Sequence, residues 1–257
     1  MSVEGTGPDP TYWGYQRRLA REFVIPLLEG EIGPIRNRTL LDLGCGEGGV
    51  ALEAGAAGAV AVGVDLDASR VERGRILAEV EGFDVDLRIA DVNDGTFPEM
   101  DIVVLRDVIE HLAEPEVFLA GLHRHLKPTG VVYVSFPPYY SPFGLHQQLL
   151  PGPWMRRMPW LSLLPPTLVR ERVAKGPHAD DIRDLARCRL TIRGFETAVK
   201  RAGFEPVRRR GYLLRPAHAV RFGWPVVPAG PLVCVPGPRV IFVSGVSYLL
   251  RGAPAAR

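Results

Sequence analysis

"LLDLGCGEGG", residues 40–49, is a short apolar run that passes directly into glycine-rich backbone. Such a run is the mark of a buried strand, and the glycines let a ligand approach the main chain behind it. Gly44, Gly46 and Gly49 have the G-x-G-x-x-G spacing of a dinucleotide loop, and Asp65 stands about twenty residues on, where a ribose-binding acid is expected. Asp42, two residues before the first glycine, does not suit that ligand. A dinucleotide loop offers backbone N–H groups and a helix N-terminus to a pyrophosphate, and a carboxylate at the strand end opposes that anion. A cofactor with a sulfonium and an ammonium but no phosphate suits an acidic strand end better. The residues therefore favour S-adenosyl-L-methionine.

The alternation around this loop predicts an α/β fold. "AVAVGVDLD" is a second strand, with Asp67 or Ser69 to cap the helix "SRVERGRILAEVEG". "VDLRIADVND", "MDIVVLRDVIEHL" and "GVVYVSFPP" are three more, and "EGGVALEAGAAG" and "PEVFLAGLHRHLKP" are helices between strands. Residues 11–29 place Tyr12, Tyr15, Leu19, Phe23 and Leu27 at helical spacing. Later, "LTIRGFETAVKRAGF" is a helix closed by Gly203, "EPVRRRGYLL" a strand, and "RVIFVSGVSYLL" a last strand antiparallel to its neighbours. The expected fold is a doubly wound, mostly parallel, seven-stranded sheet that binds ligands at the carboxyl ends of its strands. The chain is expected to form one domain over 1–257. Two Pro-rich excursions without a clean period, 137–190 and 216–238, are expected to form a cap over a second ligand.

Five ordered stretches resemble the class I S-adenosylmethionine-dependent methyltransferases. "LLDLGCGEGG" resembles their first motif, "VGVDLD" the second, "IADVND" the third, and "DIVVLRDVIEHL" and "LKPTGVVYVSFPP" the fourth and fifth. The resemblance spans residues 38–138. It implies that Asp42, Gly44, Cys45 and Gly46 surround the cofactor, that Asp65 holds the ribose hydroxyls beside Leu66, and that Asp91 and Val92 meet the adenine. Arg106 would lie near the transferable methyl, and Tyr15 and Arg18 would close over the methionine end. By spacing alone, Tyr12 and Arg17 are equally eligible. Asp42 and Asp65 also have a plainer reading as helix-capping carboxylates.

Methyl transfer to a hydroxyl needs alignment, exclusion of water and a group to take a proton. The candidates are Asp107 and His111 beyond the fourth strand, and His146 in "FPPYYSPFGLHQQ", where Tyr139 and Tyr140 also stand. "DVIEH" resembles the acid-x-x-Glu-His segment with which ubiquinone-type O-methyltransferases bind a divalent metal. Its first acid is Asp107 rather than Glu, and Glu110 and His111 can equally begin a helix, so turnover without a metal is expected. An isolated loop histidine such as His146 also serves commonly as a structural hydrogen-bonder.

The net charge of +2 hides an asymmetry: residues 1–150 hold 12 Lys/Arg against 23 Asp/Glu, and residues 151–257 hold 19 against 6. The basic second half interleaves Trp154, Trp160, Leu161, Leu163 and Leu164 with Arg156 and Arg157. That composition fits a small-molecule, lipid or glycan acceptor with an anionic and an apolar part, or peripheral contact with an anionic membrane. Alternatives are a nucleic-acid methyltransferase and a cofactor-binding protein without catalysis. Against the former, Phe136 replaces the Asn of the Asn-Pro-Pro-Tyr signature, leaving no side-chain amide for a target amino group. Cys45, Cys188 and Cys234 are too scattered for a disulfide framework. No apolar run reaches the roughly 20 residues of a membrane span, and the N-terminus lacks the pattern of a signal peptide. A cytoplasmic location is expected.

Overall fold

The computed structural model describes residues 10–92, 97–147, 150, 153–164 and 179–253. Its eight strands form one sheet in the hydrogen-bonded order β3-β2-β1-β4-β5-β8-β6-β7. The chain divides into two compact units, the first comprising Met1–Arg106, His123–Tyr133 and Val220–Gly223.

In the first unit, β1 (Thr39–Leu43), β2 (Val60–Asp65), β3 (Asp86–Ile89) and β4 (Met100–Arg106) are parallel neighbours. Leu43 pairs with both Val64 and Leu105. The next residue along each strand is Gly44, Asp65 or Arg106, so this register brings all three to one carboxyl edge. α1 (Pro10–Leu19) and α2 (Ile25–Ile32) are joined by a π turn over Ala20–Val24. Pro26 supplies no N–H to the helical ladder, and the wider turn absorbs the missing bond. α3 (Gly49–Ala56) is buried over six of its residues and lies close against α1: a Cβ on Gly49 would sit 2.5 Å from Cβ of Gln16. α4 (Ala68–Val80) starts at Asp67, whose carboxylate accepts from the amides of Ser69 and Arg70.

The second unit comprises Asp107–Leu122, Val134–Ala219 and Trp224–Arg257, and β5 (Leu126–Phe136) runs from the first unit into it. Its helices include α5 (Pro115–Gly121), α6 (Pro153–Arg157), α7 (Ala179–Cys188) and α8 (Ile192–Arg201). α8 is capped by Thr191 and closed at Gly203, with φ +77°. β6 (Phe204–Leu214) pairs antiparallel with β7 (Val227–Pro228) and with β8 (Gly245–Gly252). α9 (Pro216–Phe222) and α10 (Pro238–Phe242) complete the chain. Phe136, Phe195 and Tyr248 stack in series in this unit's core, with ring centroids 4.9 Å apart at each step.

Three expectations change. The sheet has eight strands rather than seven, because the two-residue β7 forms inside the 216–238 excursion. "RVIF" is the helical turn α10, not the start of the last strand; Gly237 turns the chain at φ +83° and Pro238 sets the first helical position. "LKP" belongs to β5 rather than to the preceding helix, since Lys127 reaches Asp101, which also binds Thr39. Residues 165–178 of the 137–190 excursion lie outside the described residues. The described part has its own small core of Tyr139, Leu145, Leu150, Leu161 and Leu185.

Candidate active site

The glycine loop is held by its own backbone groups, which bond to main-chain and side-chain partners alike. Gly44, Gly46 and Gly48 have φ of +71°, +60° and +86°, which a side chain would strain. The amides of Gly44 and Cys45 both donate to the carbonyl of Val64, at 2.7 and 2.9 Å. Asp65 accepts from Gly46 N at 2.7 Å and from Asp67 N at 2.9 Å. Gln16 completes the grip: its Nε2 donates to the Cys45 carbonyl at 3.0 Å, and its Oε1 accepts from Glu47 N at 3.2 Å. Sequence reading missed Gln16. The available signal was a lone amide one helical turn after Tyr12, on the face that packs inward.

Asp42 is 2% exposed, and its Oδ2 makes no hydrogen bond among the described residues. Burial pushes its carboxyl up to about 7; the Arg106 guanidinium opposes that rise and Asp65 adds to it. The amide of Ala51, in the first turn of α3, supports the carboxylate, so the plainer helix-terminus role is present as well. An ionised carboxylate in this position has one oxygen to give to a cation. The ammonium of S-adenosylmethionine meets that need, and the pyrophosphate of a dinucleotide does not.

The other cofactor candidates differ in placement. Cys45 is buried against Ala51, Val71 and Leu87, and its thiol is held well above the usual range by burial, so it serves the loop through its backbone. Leu66 is 69% exposed, beyond the end of β2, whereas Asp91 and Val92 are half-buried. Tyr15 stacks on Tyr12 and lies beneath the guanidinium groups of Arg106 and Arg221, at 5.8 and 4.7 Å from its ring centroid. Arg18 is exposed and pairs with Glu22, one turn along its helix, so the described contacts do not bring it to the loop. Arg17 binds Glu53 and Glu81.

The catalytic candidates gather in the second unit. Asp107 takes a left-handed conformation at φ +57°; its amide donates to Ser135 O, and its Oδ1 accepts from Arg215 Nη1 at 2.6 Å. The chain then makes a 3-10 turn over Ile109–His111. His146 is delivered by a tight turn at Gly144, where a Cβ would lie 2.1 Å from the carbonyl of Pro138. His146 itself has φ +50° and is buried. Its Nε2 lies 3.4 Å from Oε1 of Glu110, and its ring is 5.3 Å from that of His111. One donor atom from each of Glu110, His111 and His146 falls within 4.8 Å of the others. Neither oxygen of Glu110 makes a hydrogen bond among the described residues, and burial pushes this carboxyl up against the pull of His111. The sequence offers His111 and His146 as separate candidates and Glu110 as the start of a helix; the structure brings the three side chains together. Tyr139 instead packs in the excursion's core with Tyr140 edge-on against it.

The model of the family described as "Methyltransferase domain" matches residues 12–208. The ubiquinone biosynthesis O-methyltransferase of Ruegeria pomeroyi is 29% identical over 211 residues, which cover 78% of this chain and 72% of that protein. Magnesium protoporphyrin IX methyltransferase from Synechocystis, solved with bound S-adenosylhomocysteine, aligns with a TM-score of 0.56 at 16% identity, over 93% of this chain and 84% of that one. An S-adenosylmethionine-dependent methyltransferase from Clostridium acetobutylicum aligns with a TM-score of 0.58 at 12% identity, over 93% and 92%. At these identities the structural likeness is one of fold. Family match, curated relative and strand-edge geometry agree: the chain belongs to the class I S-adenosylmethionine-dependent methyltransferases and uses S-adenosyl-L-methionine as its cofactor.

Proposed function

We propose that the protein O-methylates a small molecule whose hydroxyl is activated at Glu110, His111 and His146. The observation that carries this reading is the convergence of those three side chains in the segments that follow β4 and β5. In the transfer, the acceptor oxygen attacks the methyl carbon in line, the carbon–sulfur pair returns to sulfur, and the hydroxyl proton passes to the imidazole of His146. The cluster lowers the cost of that proton loss. On the cofactor side, Asp65 releases Gly46 N to receive the ribose hydroxyls, and Asp42 takes the ammonium. Asp91 and Val92 meet the adenine, and Tyr15 with Arg106 bounds the methionine end. The name of the Ruegeria relative points to an acceptor in the class of hydroxyl-bearing small molecules.

An acceptor with a lipid tail has separate support. Trp154 is 85% exposed beside exposed Met158, Leu163 and Leu164, with Arg156 and Arg157 on the same segment. Apolar side chains mixed with arginines suit the surface of an anionic bilayer. The three cysteines are free, which supports a reducing, cytoplasmic setting. No helix among the described residues is long and apolar enough to cross a membrane.

The test is a screen of phenolic and lipid-linked hydroxyl acceptors for release of S-adenosylhomocysteine. Turnover of a hydroxyl acceptor that collapses in His146→Ala is expected. Methylation confined to amines, or undiminished in that variant, overturns the reading.

A further inference from the structure

We infer that Arg221, in the last turn of α9, holds the α-carboxylate of the cofactor, so that part of the 216–238 excursion closes the cofactor site rather than a second ligand's. The inference rests on the proposed reading of Asp42 as the partner of the cofactor's ammonium: the two charges of one amino-acid group need protein partners of opposite sign.

The fold brings Arg221 to the cofactor edge by a short detour. Of residues 216–238, only Val220–Gly223 belong to the first unit, with α1 and the glycine loop. α9 opens at Pro216, and Gly223 follows its last residue at φ +69°, a left-handed stop that turns the chain straight back. From the loop outward, the contacts run through two rings. A Cβ on Gly46 would lie 3.5 Å from Cε1 and from the hydroxyl of Tyr12; Tyr12 stacks on Tyr15; and the Arg221 guanidinium lies 4.7 Å from the centroid of Tyr15.

Charge then singles out Arg221. The Arg106 guanidinium lies against the same Tyr15 ring, and two cations on one ring repel each other, which the electron-rich face offsets only in part. Arg106 is buried and acts on Asp42, while Arg70, over the Tyr12 ring, pairs with Asp67. On α1, Arg17 binds Glu53 and Glu81, and Arg18 binds Glu22. Arg221 makes no hydrogen bond or ion pair among the described residues. Its contact with Tyr15 positions the guanidinium through the ring face and consumes no N–H donor. The planar fork is thereby held at the edge with its donors available, and a carboxylate is the anion that a fork receives bidentately.

The experiment compares two ligands on the whole chain by calorimetry: S-adenosylhomocysteine, and its decarboxylated analogue, which keeps the adenosine, the thioether and the ammonium. Arg221→Ala should weaken S-adenosylhomocysteine by tenfold or more and the analogue by less than threefold. Arg221→Lys, which keeps the charge and loses the fork, should show a smaller loss confined to S-adenosylhomocysteine. Asp42→Asn should weaken both ligands alike, since both carry the ammonium. Unchanged S-adenosylhomocysteine affinity in Arg221→Ala overturns the inference and leaves the arginine a surface cation at a helix C-terminus. Equal losses of both ligands in Arg221→Ala and Arg221→Lys overturn it as well, because they report on the fold rather than on the carboxylate. A selective loss in Arg221→Ala beside undiminished binding of both ligands by Asp42→Asn removes the ammonium assignment and leaves Arg221 standing.

Discussion

The glycine-loop edge of the first unit and the Glu110–His111–His146 cluster of the second solve the same problem, the placement of polar groups in a buried setting, by opposite means. At the cofactor edge, the loop is held by main-chain bonds to Val64, by the amide side chain of Gln16 and by the carboxylate of Asp65, and the charged groups follow from strand register. In the cluster, three side chains from two separate segments meet, and each segment depends on a strained residue: Asp107 at φ +57° and His146 at φ +50°. Regular structure places the first set. Tertiary packing places the second, and strained backbone of that kind persists only where the surroundings over-determine it.

The difference implies unequal sensitivity to single substitutions, and the largest effect should fall in the cluster. His146→Ala is expected to lower kcat by about 10²–10⁴-fold while leaving S-adenosylhomocysteine affinity within about threefold, as for loss of a group that assists proton removal. Steady-state rates on an identified acceptor, with calorimetry beside them, check this. Equal losses in kcat and cofactor affinity would mean that the two regions are not separable.

On the cofactor side, Asp65→Ala removes a charged acceptor and should weaken S-adenosylmethionine by roughly ten- to a hundredfold. Calorimetry decides it, and unchanged affinity would remove the ribose assignment.

Asp42 makes the same edge pH-sensitive. Its folded-state pKa of about 7 lies above the ordinary value of 3.8. The folded chain therefore holds this proton more tightly than the unfolded chain does. The resulting stability is fully present below the ordinary value and is lost as pH rises to about 7. A cationic cofactor favours the ionised form, so binding below that pH must expel the proton. Affinity should fall by up to about tenfold per unit on acidification below neutrality. Calorimetry in buffers of different ionisation enthalpy should record proton release at pH 6, and Asp42→Asn should abolish that release. A flat profile would mean that the ammonium does not meet this carboxylate.

The same contrast explains what was legible in the sequence. Asp42, Gly44, Gly46 and Asp65 could be read because one local pattern, strand then glycine loop then strand, fixes all four. Gly203 marked the end of α8 for a similar reason, since a helix stop is written in adjacent residues. The partnership of His146 with Glu110 could not be read: they are separated by β5 and brought together by the turn at Gly144. "RVIF" misled because its β-branched residues favour a strand, while the neighbouring Gly237 and Pro238 impose a helical turn. The pairing of Asp107 with Arg215 spans 108 positions, and no local spacing encodes it.

Gln16 gives the smallest expected effect and the closest test of how the cofactor edge is built. Its amide donates to Cys45 O and accepts from Glu47 N, so it ties α1 to both sides of Gly46. It is 1% exposed, and a Cβ on Gly46 would lie 2.7 Å from its Nε2, which leaves little room between helix and loop. Gln16→Ala breaks two hydrogen bonds, each worth about 0.5–1.5 kcal/mol, and leaves the Cys45 carbonyl and Glu47 amide to find water. Part of that loss destabilises the fold, and part is recovered when the cofactor itself orders the loop. S-adenosylmethionine affinity should therefore fall by only about three- to tenfold. Hydrogen exchange at Cys45–Glu47 should rise in the free protein and return to the unmutated level once cofactor is bound. A loss of affinity as large as that of Asp65→Ala would mean that Gln16 touches the ligand directly. No change in exchange would mean that the bonds to Val64 hold the loop without it.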